Sequence, residues 1–317
     1  MDPSQPDVEL SRSRKMLRTA LGPLLLARLE DPGVAEVMLN PDGRVWVDRF
    51  AGGLVDAGLV LSAADGERIL RLVAHHVGAE IHAGRPRLSA ELPGTGERME
   101  GLMPPLAAGP TFALRKPASR VFPLADYVAG GVMSAGEADR LAAAVRDRMN
   151  ILVVGPTSSG KTTLVNALLA EIAAGGDRVV MIEDVGELQC AARNLVSLKT
   201  GEGVATLGEL VRSSLRLRPD RIIIGEVRGP EALDLIKAWG TGHPGGVGTL
   251  HAGSALGALL RLEQLIQEAV VTVPRALIAE TIDIVAVLSG RGRQRRLTDL
   301  SRLSGLGPDG AYQLSPL

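Results

Sequence analysis

The residues of this 317-residue chain that could do chemistry begin with one glycine-rich run. Gly155-Pro156-Thr157-Ser158-Ser159-Gly160-Lys161-Thr162, with Thr163 after it, fits the pattern G-x-x-x-x-G-K-[ST]. Such a run is a phosphate cradle. Its glycines let the backbone wrap an anion, and the N–H groups that open the following helix point at it. Lys161 supplies charge to the β- and γ-phosphates of a nucleoside triphosphate such as ATP. The Thr162 hydroxyl offers a ligand to Mg²⁺.

Hydrolysis needs more than a cradle. The segment Arg221 to Glu226 is an apolar strand that ends in a carboxylate, at the edge where open α/β sheets bind ligands. Glu226 could polarise a water for attack on the γ-phosphate, or hold Mg²⁺ through water. The position that usually carries an aspartate is Gly225, so direct metal ligation is missing there. A second apolar strand, from Val179, ends in Glu183 and Asp184, with Glu187 a turn later. These carboxylates could supply the charge that Gly225 lacks. A third, glycine-rich stretch from Gly242 leads into a strand that ends at His251, a candidate sensor of the γ-phosphate. The plain alternatives are a solvated strand end for Glu226 and a satisfied imidazole for His251.

Several elements must position these groups. From Ala138 onward helix (138–148), strand (151–154), helix (161–173), strand (178–182), helix (206–217), strand (221–225), helix (231–239), strand (247–250) and helix (255–269) follow one another. Apolar strands alternating with helices predict a parallel sheet covered on both faces. Closing strands follow at 283–288 and 295–317, with a Gly307-Pro-Asp-Gly310 turn. The N-terminal part reads differently. Two strands flank Asn40-Pro-Asp-Gly43, a helix covers Ser62–Val77, and short strand-like pieces end at Thr111–Arg115, an α+β pattern. The predicted organisation is a mobile arm (1–15), an α+β domain (16–116), a linker (117–136) rich in Pro and Gly, and an α/β domain (137–317).

Composition narrows the classes. Lys and Arg number 35 against 36 Asp and Glu, a net charge of -1, which argues against a surface coated to grip a phosphate backbone. With three Phe, two Trp and two Tyr there is little to stack bases on. One cysteine, Cys190, excludes a disulfide framework and a Cys-x-x-Cys zinc module. The N-terminus has no signal-peptide stretch and no apolar run is long enough to span a bilayer, so the expected location is the cytosol. The basic cluster Arg291 to Arg296 reads as a solvated turn, with acidic lipid or a partner as the other reading.

Together the glycine-rich loop, Ile182-Glu183-Asp184, Leu217 to Arg228 and Thr241 to Ala252 resemble the secretion, or traffic, ATPases. The likeness is strongest to the conjugal-transfer members of the type IV secretion branch. It spans about residues 30 to 305. The resemblance implies a RecA-like P-loop C-terminal domain, a PAS-like N-terminal domain, and a homo-hexameric ring with ATP and Mg²⁺ between the two domains. It implies Glu226 as catalytic acid, Glu183 and Asp184 as an acidic box near Mg²⁺, and His251 as part of a histidine box. Arg115, with Arg98 and Arg120 behind it, matches an N-terminal segment that reaches the phosphates, and Arg228 matches an arginine near the subunit interface. The partners implied are inner-membrane secretion or conjugation components, with peripheral membrane association and no sequence-specific nucleic acid. A tight-adherence pilus ATPase, a RecA-like nucleic-acid motor and a switch NTPase remain as competing readings.

Overall fold

In the computed structural model, residues 5–50, 52–92, 95–117, 121–201 and 203–317 are described. They divide into two units, Met1–Ser119 and Arg120–Leu317.

In the N-terminal unit, helix α1 (Gln5–Glu30) is broken at Gly22, whose φ of +70° suits glycine, and resumes at Pro23. It is followed by β1 (Val34–Leu39), β2 (Arg44–Arg49), β3 (Gly53–Val60), α2 (Ala63–His76), β4 (Arg87–Glu91), β5 (Arg98–Leu102) and β6 (Thr111–Arg115). The strands form one antiparallel sheet in the order β3-β2-β1-β6-β5-β4. The Ser62 side chain caps α2 by accepting from the Asp65 N–H, and the helix lays Ile69, Leu70 and Val73 into the core. Leu17, Leu21, Leu25 and Leu29 of α1 enter the same core. The sequence reading makes residues 1–15 a mobile arm; in the structure helix begins at Gln5 within that stretch, and residues 1–4 lie outside the described residues.

The C-terminal unit opens with α3 (Leu124–Ala129) and α4 (Ala135–Arg146), then β7 (Ile151–Val154), α5 (Lys161–Ala173), β8 (Arg178–Glu183) and β9 (Asn194–Lys199). It continues with α6 (Leu207–Ser214), β10 (Arg221–Ile224), α7 (Glu231–Gly240), β11 (Val247–Leu250), α8 (Ala255–Gln267) and α9 (Arg275–Thr281). It closes with β12 (Ile284–Ser289), β13 (Arg296–Leu306) and β14 (Tyr312–Pro316). The sheet order is β14-β13-β12-β7-β11-β10-β8-β9. From β12 to β9 the strands are parallel, and β13 and β14 add an antiparallel edge.

Side-chain alternation explains why the inner strands are apolar throughout. Ile151 and Val153 of β7 enter one core with α3, α4 and α5, while Leu152 and Val154 enter another with α6 to α9. Val179 and Met181 part from Val180 and Ile182 in the same way. The predicted linker is corrected here. Its C-terminal part carries α3, whose Leu124 and Tyr127 are buried with Met133 in the core of the unit that bears the glycine-rich loop, and Ser134 with Glu137 forms a capping box for α4. Pro and Gly in that stretch mark helix ends rather than a tether. Strand β9 has no counterpart in the sequence reading, because as an edge strand it is half exposed and lacks the apolar run of its neighbours.

Candidate active site

Strand β7 is wholly buried between β11 and β12, and the glycine-rich loop turns from its end into α5. Two positions show why the loop needs glycine. Gly160 has φ +95°, and a Cβ on Gly155 would lie 2.4 Å from the Leu288 carbonyl oxygen and 2.6 Å from Ser159 Oγ. Lys161 opens α5 yet is buried; its Nζ donates to the carbonyl oxygens of Gly155 (3.0 Å) and Pro156 (3.2 Å) and lies 3.3 Å from His251 Nδ1. Ser159 is fully buried with its Oγ unpartnered. The first turn of α5 carries no acid to offset its helix dipole. A tight cradle, a buried ammonium, an orphaned hydroxyl and an uncompensated helix start fit a bound phosphate chain.

Two further strand ends meet the loop. Glu226 follows β10 and His251 follows β11. Glu226 Oε2 accepts from Arg228 Nε at 2.9 Å and also from Nη2, and Arg228 Nη1 lies 3.7 Å from Asp184 Oδ2. Glu226 Oε1 sits 2.5 Å from His251 Nε2, but it has no aligned donor. His251 thus stands between the Lys161 ammonium beside Nδ1 and the Glu226 carboxylate beside Nε2. Burial, opposed by Glu226 and the Gly155 carbonyl and assisted by Lys161 and Arg228, holds the His251 pKa below its usual value.

The acids after β8 have distinct places. A Cβ on Gly225 would lie 2.9 Å from Glu183 Cβ, so the strand end without a side chain adjoins the neighbouring strand's carboxylate residue. Glu183 is buried, and its Oε2 accepts from the N–H groups of Glu187 (2.8 Å) and Leu188 (3.0 Å). Burial raises its pKa to about 7, against those two backbone donors. The turn so clamped brings Glu187 Oε2 within 3.3 Å of Thr162 Oγ1. Buried Asn166 of α5 holds it from the other side, donating to the Glu187 carbonyl and accepting from the Gln189 N–H. Asp184 Oδ1 accepts from Thr200 Oγ1. Among the described residues no group of three or more His, Cys, Asp or Glu could hold a metal alone. A hydroxyl with carboxylates behind it suits Mg²⁺, which keeps waters and takes its other ligands from substrate phosphates.

The structure thus gathers Lys161, Thr162, Glu183, Asp184, Glu226, Arg228 and His251 at one end of one sheet. Arg115 belongs to the N-terminal unit, where it ends β6, exposed and paired in register with Glu36 and with Arg98. Arg120 lies outside the described residues. Sequence reasoning missed Asn166, whose signal was a lone amide on the otherwise apolar side of α5. It also missed Arg295. That residue belongs to the cluster read as a solvated turn, yet its side chain packs on Gly160, where a Cβ would meet Nε at 2.7 Å and Cζ at 2.8 Å.

Known proteins resemble this chain. The family model described as "Type II/IV secretion system protein" matches residues 86–292. The chain is 47% identical over 293 residues to "Conjugal transfer protein TrbB" of Rhizobium radiobacter, covering 92% of this chain and 90% of that protein. It is 36% identical to "Type IV secretion system protein PtlH" of Bordetella pertussis, covering 86% of this chain and 91% of the relative. Among solved structures, the pilus retraction motor PilT with bound ADP shares the fold at a TM-score of 0.61 and 20% identity, over 93% of this chain and 82% of that one.

Proposed function

The chain belongs to the type II/IV secretion system protein family and is an ATPase of it, and from that premise we propose that it powers a type IV secretion or conjugal-transfer machine. In this reading six copies form a ring, the N-terminal α+β unit is PAS-like and the C-terminal unit is RecA-like. ATP with Mg²⁺ is the substrate, and the ring sits peripherally at the inner membrane on machine components. Among the described residues no helix is long and apolar enough to cross a membrane.

The observation that carries the reading is the meeting of three strand ends. The loop lysine lies 3.3 Å from His251, and His251 lies 2.5 Å from Glu226. Lys161 and the loop N–H groups hold the phosphates; Thr162, with Glu187 beside it and Asp184 and Glu226 at the neighbouring strand ends, would hold Mg²⁺, which would supply neutralising charge to the phosphate oxygens. Glu226 orients the attacking water through Oε1, the oxygen that Arg228 leaves free, and takes its proton. Neutral His251 stands between Glu226 and Lys161, placed to register whether the γ-phosphate is present. Arg115 enters the proposal on its sequence position alone, as a phosphate ligand.

Glu226→Gln should lower steady-state ATP turnover at least a hundredfold while ADP affinity stays within about twofold of wild type. Lys161→Ala should lose both. Retained hydrolysis in Glu226→Gln would remove the catalytic acid from this scheme. Turnover stimulated several-fold by single-stranded DNA would favour the nucleic-acid motor instead.

A further inference from the structure

We propose that Arg295 is a nucleotide-binding residue, whose guanidinium contacts the phosphate chain of the nucleotide held by the glycine-rich loop. The inference rests on the ATPase reading above and adds a residue to it from the far end of the sequence.

The short segment between β12 and β13 brings Arg295 to the loop. Its Cδ, Nε and Cζ would lie 3.0, 2.7 and 2.8 Å from a Cβ on Gly160, so the guanidinium stem rests directly on the N-cap residue of α5. The Nε atom is buried and has no hydrogen-bond partner. The backbone carbonyl of Arg295 is engaged, accepting from Arg296 Nη1, which fixes the main chain and not the charge.

Electrostatics make this placement costly unless an anion is present. The start of α5 carries the positive end of a helix dipole with no acid in its first turn, and Lys161 adds an ammonium there. A second cation laid against that end is repelled by both. A polyphosphate in the cradle attracts the guanidinium, the ammonium and the helix start alike, and so offsets these repulsions. It also gives the buried Nε an acceptor, and arginine is the side chain whose planar donors suit phosphate oxygens. Neighbouring Tyr127 is a phenol whose own pKa is raised by burial, so it offers Arg295 no compensating negative charge.

The test is binding of ADP and of inorganic pyrophosphate to the full-length protein, by calorimetry or by competition with a fluorescent ADP analogue. Arg295→Met, which keeps the packing on Gly160 without the charge, should weaken both ligands about tenfold or more, as for loss of a charge-assisted hydrogen bond. Arg295→Lys should recover part of that loss, and the ligand-free melting temperatures should agree within about 2 °C. Equal ADP affinity in wild type and Arg295→Met overturns the inference. Weakened ADP with unchanged pyrophosphate overturns the phosphate contact in favour of one to the nucleoside. Should Arg295→Met fail to fold, Arg295→Gln decides the matter: weaker binding of both ligands by the neutral glutamine supports the contact, and wild-type affinity overturns it. If wild type binds no ADP, the ATPase reading itself is what fails.

Discussion

Single residues at this site carry charge that the fold has to hold in place, and Glu183 illustrates the cost. Its pKa rises from 4.5 to about 7 because burial disfavours the carboxylate more than the backbone donors of Glu187 and Leu188 favour it. The folded chain therefore binds this proton more tightly than the unfolded one. The stability it contributes is full below about pH 4.5 and fades as the pH rises through about 7. Glu183→Gln stays neutral throughout, so the variant should gain on wild type in thermal midpoint as the pH is raised across that window. Parallel midpoint profiles would show that Glu183 is not held protonated. Most site residues were legible from their types: the glycine-rich loop, the acids at strand ends and His251 all stand where runs of apolar residues stop. Arg295 was not, because contact with a loop more than 130 positions earlier leaves no mark in local composition.

At the scale of elements, burial on both faces made β7, β8 and β10 readable, since each is built on an unbroken apolar run, while β11, Val-Gly-Thr-Leu, is equally buried but was marked by the glycines before it. Helix α5 was readable to the residue because the loop motif fixes its start. Edge strands β3 and β9 were hidden, as half-exposed strands carry mixed sequences. The glycine-rich stretch before β11 has a packing cause besides any catalytic one. A Cβ on Gly246 would lie 2.1 Å from the ring of Trp239, whose Nε1 donates to the Ile222 carbonyl oxygen at 2.9 Å under β10. Gly246→Ala must displace that indole, and urea unfolding should show a loss on the order of 1–3 kcal/mol. An unchanged midpoint would mean that the tryptophan can move freely.

For the whole molecule, each unit has its own hydrophobic core, one built around α1, α2 and the antiparallel sheet, the others on the two faces of the larger sheet. Scanning calorimetry should accordingly resolve two transitions. ADP at a hundred times its Kd should stabilise the transition of the C-terminal unit by about 2.7 kcal/mol. Lys161→Ala should abolish that shift, and a single transition unmoved by ADP would contradict the assignment of the site to that unit. The larger sheet also limits how the sequence can drift. Gly225 and Glu183 crowd one space on adjacent strands, so an aspartate at the end of β10 would collide with the residue that clamps the Glu187 turn. A side chain at 225 thus asks for a smaller one at 183, and the Glu187 and Leu188 N–H groups would then lose their shared acceptor.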